Sequence, residues 1–346
     1  MARFPHKILI RGVNWIGDAM MTIPALRELG RLFPESTKTL LINEPMGQLF
    51  RSFSAVDRVM DFTCRTGIPG LKDRLALLRK LRPNRFDLCL ILPNSFDSAL
   101  IPFLAAIPER VGFDRDGRGF LLTQPIPSVA SERGRHQAYH YLDLVSALGP
   151  VKSTLDIGLD LDPKARHWAM EALAPLKEKS QGPVIGLNPG AAYGPAKQWF
   201  PERFGELGRR LASDLGAGIL IVGGPTEKAL GASIAGAVEE GMLDLSGRTT
   251  LPQLAAVLAR CDLIVTNDSG PMHLASAVGV PVVAVFGPTD PRATSPMGRH
   301  RIVRKACECA PCMERICPRG DTLCMKRVAV DDVLVAVKDL LSDRER

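Results

Sequence analysis

The stretch DLIVTNDSGPMHLASAVGVPVVAVF, residues 262–286, decides the fold. Asp262–Thr266 is a short apolar run, read as a strand buried on both faces. Residues 271–278 carry Pro271 at a first-turn position and apolar residues at helical spacing, which predicts a helix. Val280–Phe286 is a second buried-type strand. Strand, helix and strand in so short a span make a βαβ unit, whose right-handed crossover sets the two strands parallel.

The alternation continues outward from there. In the second half, strands are predicted over 183–187, 218–222 and 243–245, with helices over 201–213, 226–239, 251–260 and a closing helix over 333–341. The first half repeats it, with strands over 7–13, 39–42, 57–62, 86–92 and 110–113 and helices over 19–33, 71–81, 95–105 and 137–148. Residues 150–182, with a helix over 164–177, read as an interdomain region. The expected fold is α/β: two doubly wound parallel-sheet domains, 1–165 and 166–346, facing across a cleft. The final helix is free to pack back on the first domain. In such sheets ligands bind at the carboxyl ends of strands, so the chemistry is sought in the loops that follow them.

Composition narrows the class. The chain has 346 residues, 46% hydrophobic, 23% charged and only 5% aromatic, as suits a soluble protein with an aliphatic core. The formal net charge of +7 favours anionic partners. The basic residues are scattered in small groups (Arg110, Arg115, Arg118; Arg133, Arg135; Arg299, Arg301, Arg304, Lys305), so no nucleic-acid module is expected. Residues 1–10 hold no signal-peptide core, and the near-apolar stretch 275–287 is too short to cross a bilayer. A cytoplasmic location is expected. Cys64, Cys89 and Cys261 lie in or beside apolar segments. Cys307, Cys309, Cys312, Cys317 and Cys324 crowd together with one CxxC pair and no second knuckle, which leaves reduced thiols or a metal centre as readings.

Several loops can carry chemistry. RGVNWIGDAM, residues 11–20, joins the first strand to a helix, and Asp18 there is either a helix cap or a general base. NPGAAYGPAKQWFP, residues 188–201, is a glycine-bearing loop with one lysine. Its N–H groups can cradle phosphate and Lys197 can add a charge, or the loop merely connects. In TNDSGPMH, residues 266–273, Ser269 or Asp268 can cap the helix, whose open N–H groups form an anion site. Asp268 can also accept from ribose hydroxyls. His273 is either a donor to phosphate or a core histidine. Gly223 and Gly224 permit close approach of backbone to a ligand, and Asp290 reads as a turn residue. No strand is followed by GxGxxG, which disfavours a nicotinamide-dependent oxidoreductase.

Three of these segments resemble glycosyltransferase family 9, the ADP-heptose-dependent heptosyltransferases: residues 11–34, 188–204 and 266–291, in the family's order across nearly the whole chain. NWIGD and the late cysteine-rich stretch resemble the type II branch. The resemblance implies a GT-B fold with two Rossmann-like domains, the acceptor in the N-terminal one and the nucleotide sugar in the C-terminal one. It implies inverting transfer with no obligatory metal or cofactor, ADP-heptose being a co-substrate. By position, Asp18 matches the catalytic base and Lys197 the lysine on the donor phosphates. Asp268, Ser269, Gly270 and His273 match the donor-binding segment. Asn188, Gly190, Gly223 and Gly224 complete the expected donor site. The implied acceptor is heptosyl-Kdo2-lipid A, with peripheral contact at the cytoplasmic face of the inner membrane. Alternatives are a type I or III heptosyltransferase, a GT-B enzyme with another donor, or a non-catalytic nucleotide- or metal-binding protein.

Overall fold

The computed structural model describes residues 4–63, 67–127, 134–152, 154–236 and 241–343. Cys64, Arg133, the first three residues and the end of the helix expected over 226–239 lie outside the described residues. The chain divides into two compact units, Met1–Asp156 and Ile157–Arg346.

Among the described residues the first unit holds six strands: β1 Lys7–Arg11, β2 Thr37–Asn43, β3 Arg58–Phe62, β4 Leu88–Ile91, β5 Glu109–Phe113 and β6 Gln124–Ile126. They pair in the order β3-β2-β1-β4-β5-β6, every pair parallel. The second unit holds β7 Val184–Asn188, β8 Gly218–Ile221, β9 Met242–Asp244, β10 Leu263–Asn267, β11 Val282–Val285 and β12 His300–Val303. Their order is β9-β8-β7-β10-β11-β12, again all parallel. Both sheets thus share one doubly wound topology. Each has its switch point beside its own first strand, between β1 and β4 and between β7 and β10.

The central strands explain why the pattern was readable. Leu9, Ile91, Ile185, Leu187, Ile219, Val265 and Val283 are fully buried, because helices cover both faces of each sheet. Burying each such side chain contributes about 1.5–3 kcal/mol. Helix Pro163–Lys179, read as part of an interdomain region, belongs to the second unit. It is capped by Asp162, which accepts from Ala165 N–H at 2.8 Å, and it buries Ala169, Leu173 and Leu176. The closing helix Val330–Ser342 packs in the second unit's core through Val333, Val337 and Leu340.

The helix expected over 19–33 is two helices, Ile16–Met21 and Ile23–Leu32. Pro24 has no N–H to continue the ladder and crowds the carbonyl four residues back. Thr22 fills the joint, its hydroxyl donating to the Ala19 carbonyl at 2.6 Å. Strands β6 and β12 and the short helix Gly47–Phe50 had no sequence counterpart.

Candidate functional site

The second unit's switch point gathers most of the expected donor residues. Asn188 is the last residue of β7 and pairs in register with Thr266 of β10. Its Nδ2 donates to Thr266 Oγ1 at 3.0 Å and to Ser269 Oγ at 2.9 Å. Ser269 occupies the cap position of helix Gly270–Ala277 but makes no side-chain cap bond. Its hydroxyl is turned to Asn188, so the N–H groups of the first turn are not consumed by the cap. This arrangement suits an anion.

Lys197 lies in a single turn, Pro195–Lys197, at the far end of the loop after β7. Its Nζ donates to Asp268 Oδ2 at 2.6 Å, and both side chains are nearly buried, at 11% and 5% exposure. Thr289 Oγ1 donates to the same Asp268 oxygen at 2.6 Å. The lysine and the aspartate, expected separately to meet phosphate and ribose, form one ion pair. Lys197 Nζ also stands 4.5 Å from the centre of the Tyr193 ring. His273 is buried in the helix's first turn. Asp290 caps the short helix Pro291–Thr294, and the Arg292 hydrogen bond leads the causes holding its carboxyl below the usual range.

Two residues that sequence reasoning missed stand against this loop, and the first of them holds it in shape. Asn267, fully buried at the end of β10, accepts from Trp199 N–H at 3.0 Å through Oδ1. Its Nδ2 donates to the Pro189 carbonyl at 2.7 Å and, more weakly, to Gly190 at 3.4 Å. One amide thus ties both ends of the loop to the neighbouring strand. Glu227 is the other. Gly223 and Gly224 were expected to let the backbone approach a ligand closely; in the structure Glu227 Oε2 accepts from Gly224 N–H at 2.5 Å, and a Cβ on Gly190 would stand 1.5 Å from Glu227 Oε1. Three glycines surround this carboxylate. The signal was present: a glycine followed three residues later by glutamate is capping-box spacing.

In the first unit, Asp18 lies just beyond β1, in the first turn of helix Ile16–Met21. The cap position is Trp15, not Asp18. Gln137 Nε2 donates to Asp18 Oδ1 at 3.1 Å and is 3.3 Å from the Tyr141 hydroxyl. Burial first, then the Asp18 charge, pushes the Tyr141 phenol up. A carboxylate held by a neutral amide donor at the carboxyl end of a strand is suitably placed for proton abstraction.

Much of the basic charge is structural. Arg118, with no exposed surface, donates to the Phe113 carbonyl at 2.9 Å, to Pro93 at 2.5 Å and to Ser98 Oγ at 2.8 Å. Arg110 donates to the Leu121 and Ile107 carbonyls. Arg135, Arg301 and Lys305 pair with Asp143, Asp343 and Asp332. The described cysteines are free thiols, with Cys307 and Cys309 sulfurs 3.4 Å apart. Among the described residues no three His, Cys, Asp or Glu side chains are grouped to hold a metal ion.

Residues 74–322 match the model of glycosyltransferase family 9 (heptosyltransferase). Lipopolysaccharide heptosyltransferase 2 of Escherichia coli K12 is 30% identical over 312 residues, covering 86% of this chain and 88% of that protein. The solved structure of E. coli ADP-heptose LPS heptosyltransferase II superposes with a TM-score of 0.83 at 27% identity, over 98% of this chain and 100% of that one. An E. coli heptosyltransferase solved with ADP shares the fold, with a TM-score of 0.75 at 20% identity over 96% and 99% of the two chains.

Proposed function

The chain belongs to glycosyltransferase family 9, the heptosyltransferases, and from that premise we propose that it transfers heptose from ADP-heptose to heptosyl-Kdo2-lipid A in the lipopolysaccharide inner core, inverting the anomeric carbon. The observation that carries the donor half is the β7–β10 switch point. There an uncapped helix start, the Lys197–Asp268 pair and the glycine-lined Glu227 carboxylate lie within one unit. A diphosphate meets the N–H groups and the lysine, while carboxylates accept from sugar hydroxyls.

The acceptor hydroxyl must lose a proton as it attacks the anomeric carbon. Asp18, oriented by Gln137, is the base in this reading, with an expected contribution of ~10²–10⁴-fold. The departing ADP gains negative charge, which Lys197 and the first-turn N–H groups of helix Gly270–Ala277 stabilise. In this reading no metal or cofactor is obligatory for the transfer. Among the described residues no helix is long and apolar enough to cross a membrane. Because the acceptor is a lipid, the enzyme is placed at the cytoplasmic face of the inner membrane; failure to co-sediment with anionic liposomes would count against that placement.

The test is transfer from ADP-heptose to a monoheptosylated Kdo2-lipid A, with UDP- and GDP-sugars as competing donors. Asp18→Asn is expected to bind ADP normally and to lose ~10²-fold or more in kcat. An unimpaired variant removes Asp18 from the base role. A wild type that binds ADP yet transfers nothing refutes the donor–acceptor assignment.

A further inference from the structure

The Lys197–Asp268 pair leaves an electrostatic deficit. Lys197, on the loop after β7, has its charge matched by a nearly buried carboxylate 2.6 Å away. A nucleoside diphosphate brings negative charge to the site and gains more as it departs. The start of one helix offers only about half a charge. A further cation would offset that charge, and the cysteine-rich segment holds one beside the loop.

Arg315 lies in that segment and is exposed, and among the described residues no carboxylate is paired with it. Its guanidinium carbon stands 5.0 Å from the centre of the Tyr193 ring, the same ring that has Lys197 Nζ at 4.5 Å. The Tyr193 ring is therefore a neighbour of both cationic heads. The placement is built by the backbone. Ala196, in the turn that carries Lys197, donates its N–H to the Arg315 carbonyl at 3.1 Å. Position 194 is glycine because a Cβ there would stand 2.4 Å from that same carbonyl oxygen. The Tyr193 hydroxyl donates to the Met313 carbonyl at 2.8 Å, and Met313 N–H donates to the Pro288 carbonyl at 2.8 Å. Residues 313–315 are thus fastened to the loops after β7 and after β11.

We infer that Arg315 is a second cation of the donor site and binds the diphosphate of the nucleotide. This rests on the donor reading above and gives the cysteine-rich segment a role in binding, since it delivers a guanidinium to the phosphates. A planar guanidinium adds two parallel hydrogen bonds to its charge, which lysine does not.

The experiment is calorimetric titration of the full chain with ADP and, separately, with inorganic pyrophosphate. Arg315→Gln is expected to weaken both by about tenfold, and Arg315→Lys by about threefold, since it keeps the charge and loses the fork. Adenosine affinity should not change. Arg319→Gln, in the same segment but paired with Asp321 at 3.2 Å, should bind both ligands as wild type does. Wild-type affinity in Arg315→Gln overturns the inference, and so does an equal loss in Arg319→Gln. If wild type binds pyrophosphate but does not prefer ADP to UDP or GDP, the ADP-sugar reading falls, while an Arg315→Gln loss with pyrophosphate still upholds the cation.

Discussion

Replacing Asn267 with alanine should damage both stability and donor binding. The side chain is fully buried and satisfies three backbone groups of the loop after β7. Alanine orphans the Trp199 N–H, which has no route to water because Trp199 is 1% exposed. A buried donor left unmade costs about 1–3 kcal/mol. The Pro189 carbonyl adds a penalty near the low end of that range, and the void left by the amide adds roughly 1 kcal/mol. The total is about 3–5 kcal/mol, a large share of the 5–15 kcal/mol typical of a whole protein. Because the freed loop carries Gly190 and Lys197, ADP affinity should fall with it. Asn267→Asp separates the hydrogen bonds from the packing. It keeps the acceptor for Trp199 but sets a carboxylate against two carbonyl oxygens, so it should be at least as harmful as alanine. Urea unfolding followed by circular dichroism, with ADP titration in parallel, tests this. A loss under about 1 kcal/mol in Asn267→Ala, or an aspartate variant milder than the alanine one, would refute the reasoning.

In the first unit, Glu28 accepts from Arg31 at 2.8 Å and from Lys152 N–H at 2.9 Å. Burial raises its carboxyl, but the Arg31 and Lys152 hydrogen bonds and charges outweigh burial and hold it below the ordinary carboxylate range. A lowered folded value means the stabilisation is present at neutral pH and is lost as pH falls through that value. Glu28→Gln should therefore cost about 1–2 kcal/mol at pH 7, and the gap to wild type should close in acid; a gap independent of pH in urea melts would refute this. Burial, foremost among its causes, pushes the Cys89 and Cys261 thiols up to about 12. Both should resist alkylation in the folded protein and react only on unfolding, while the half-exposed Cys307, Cys309, Cys312 and Cys317 react first. Mass spectrometry after timed labelling reads the order.

The two sheets were legible because strands buried on both faces leave unbroken apolar runs, as in Leu263–Val265 and Val282–Val285. What the sequence concealed lies at the edges. Strand β12 reads His300-Arg301-Ile302-Val303 and β6 reads Gln124-Pro125-Ile126. Each pairs along one side only and needs no apolar run. The loops after β7 and β10 were legible as short polar and glycine-bearing joints at strand ends. Asn267 was not, because its partners come from the loop after another strand, and no local pattern records a tertiary clamp. The Lys197–Asp268 pair is hidden for the same reason: the two residues lie 71 positions apart.

Trp199 has a consequence for light as well as for packing. Its indole is sealed in the second unit, with N–H donated to the Val328 carbonyl at 3.0 Å and an edge-on Phe204 at 5.1 Å. Trp15, three residues before Asp18 in the first unit, is 53% exposed. A dry indole fluoresces toward the blue and a wet one toward the red. The only other tryptophan, Trp168, is half-buried and falls between them. The second unit therefore holds the bluest emitter and the intermediate one, and the first unit the reddest: nucleotide arriving at the β7–β10 loops should disturb the blue edge of the emission, and an acceptor arriving near Asp18 the red edge, with no dye attached.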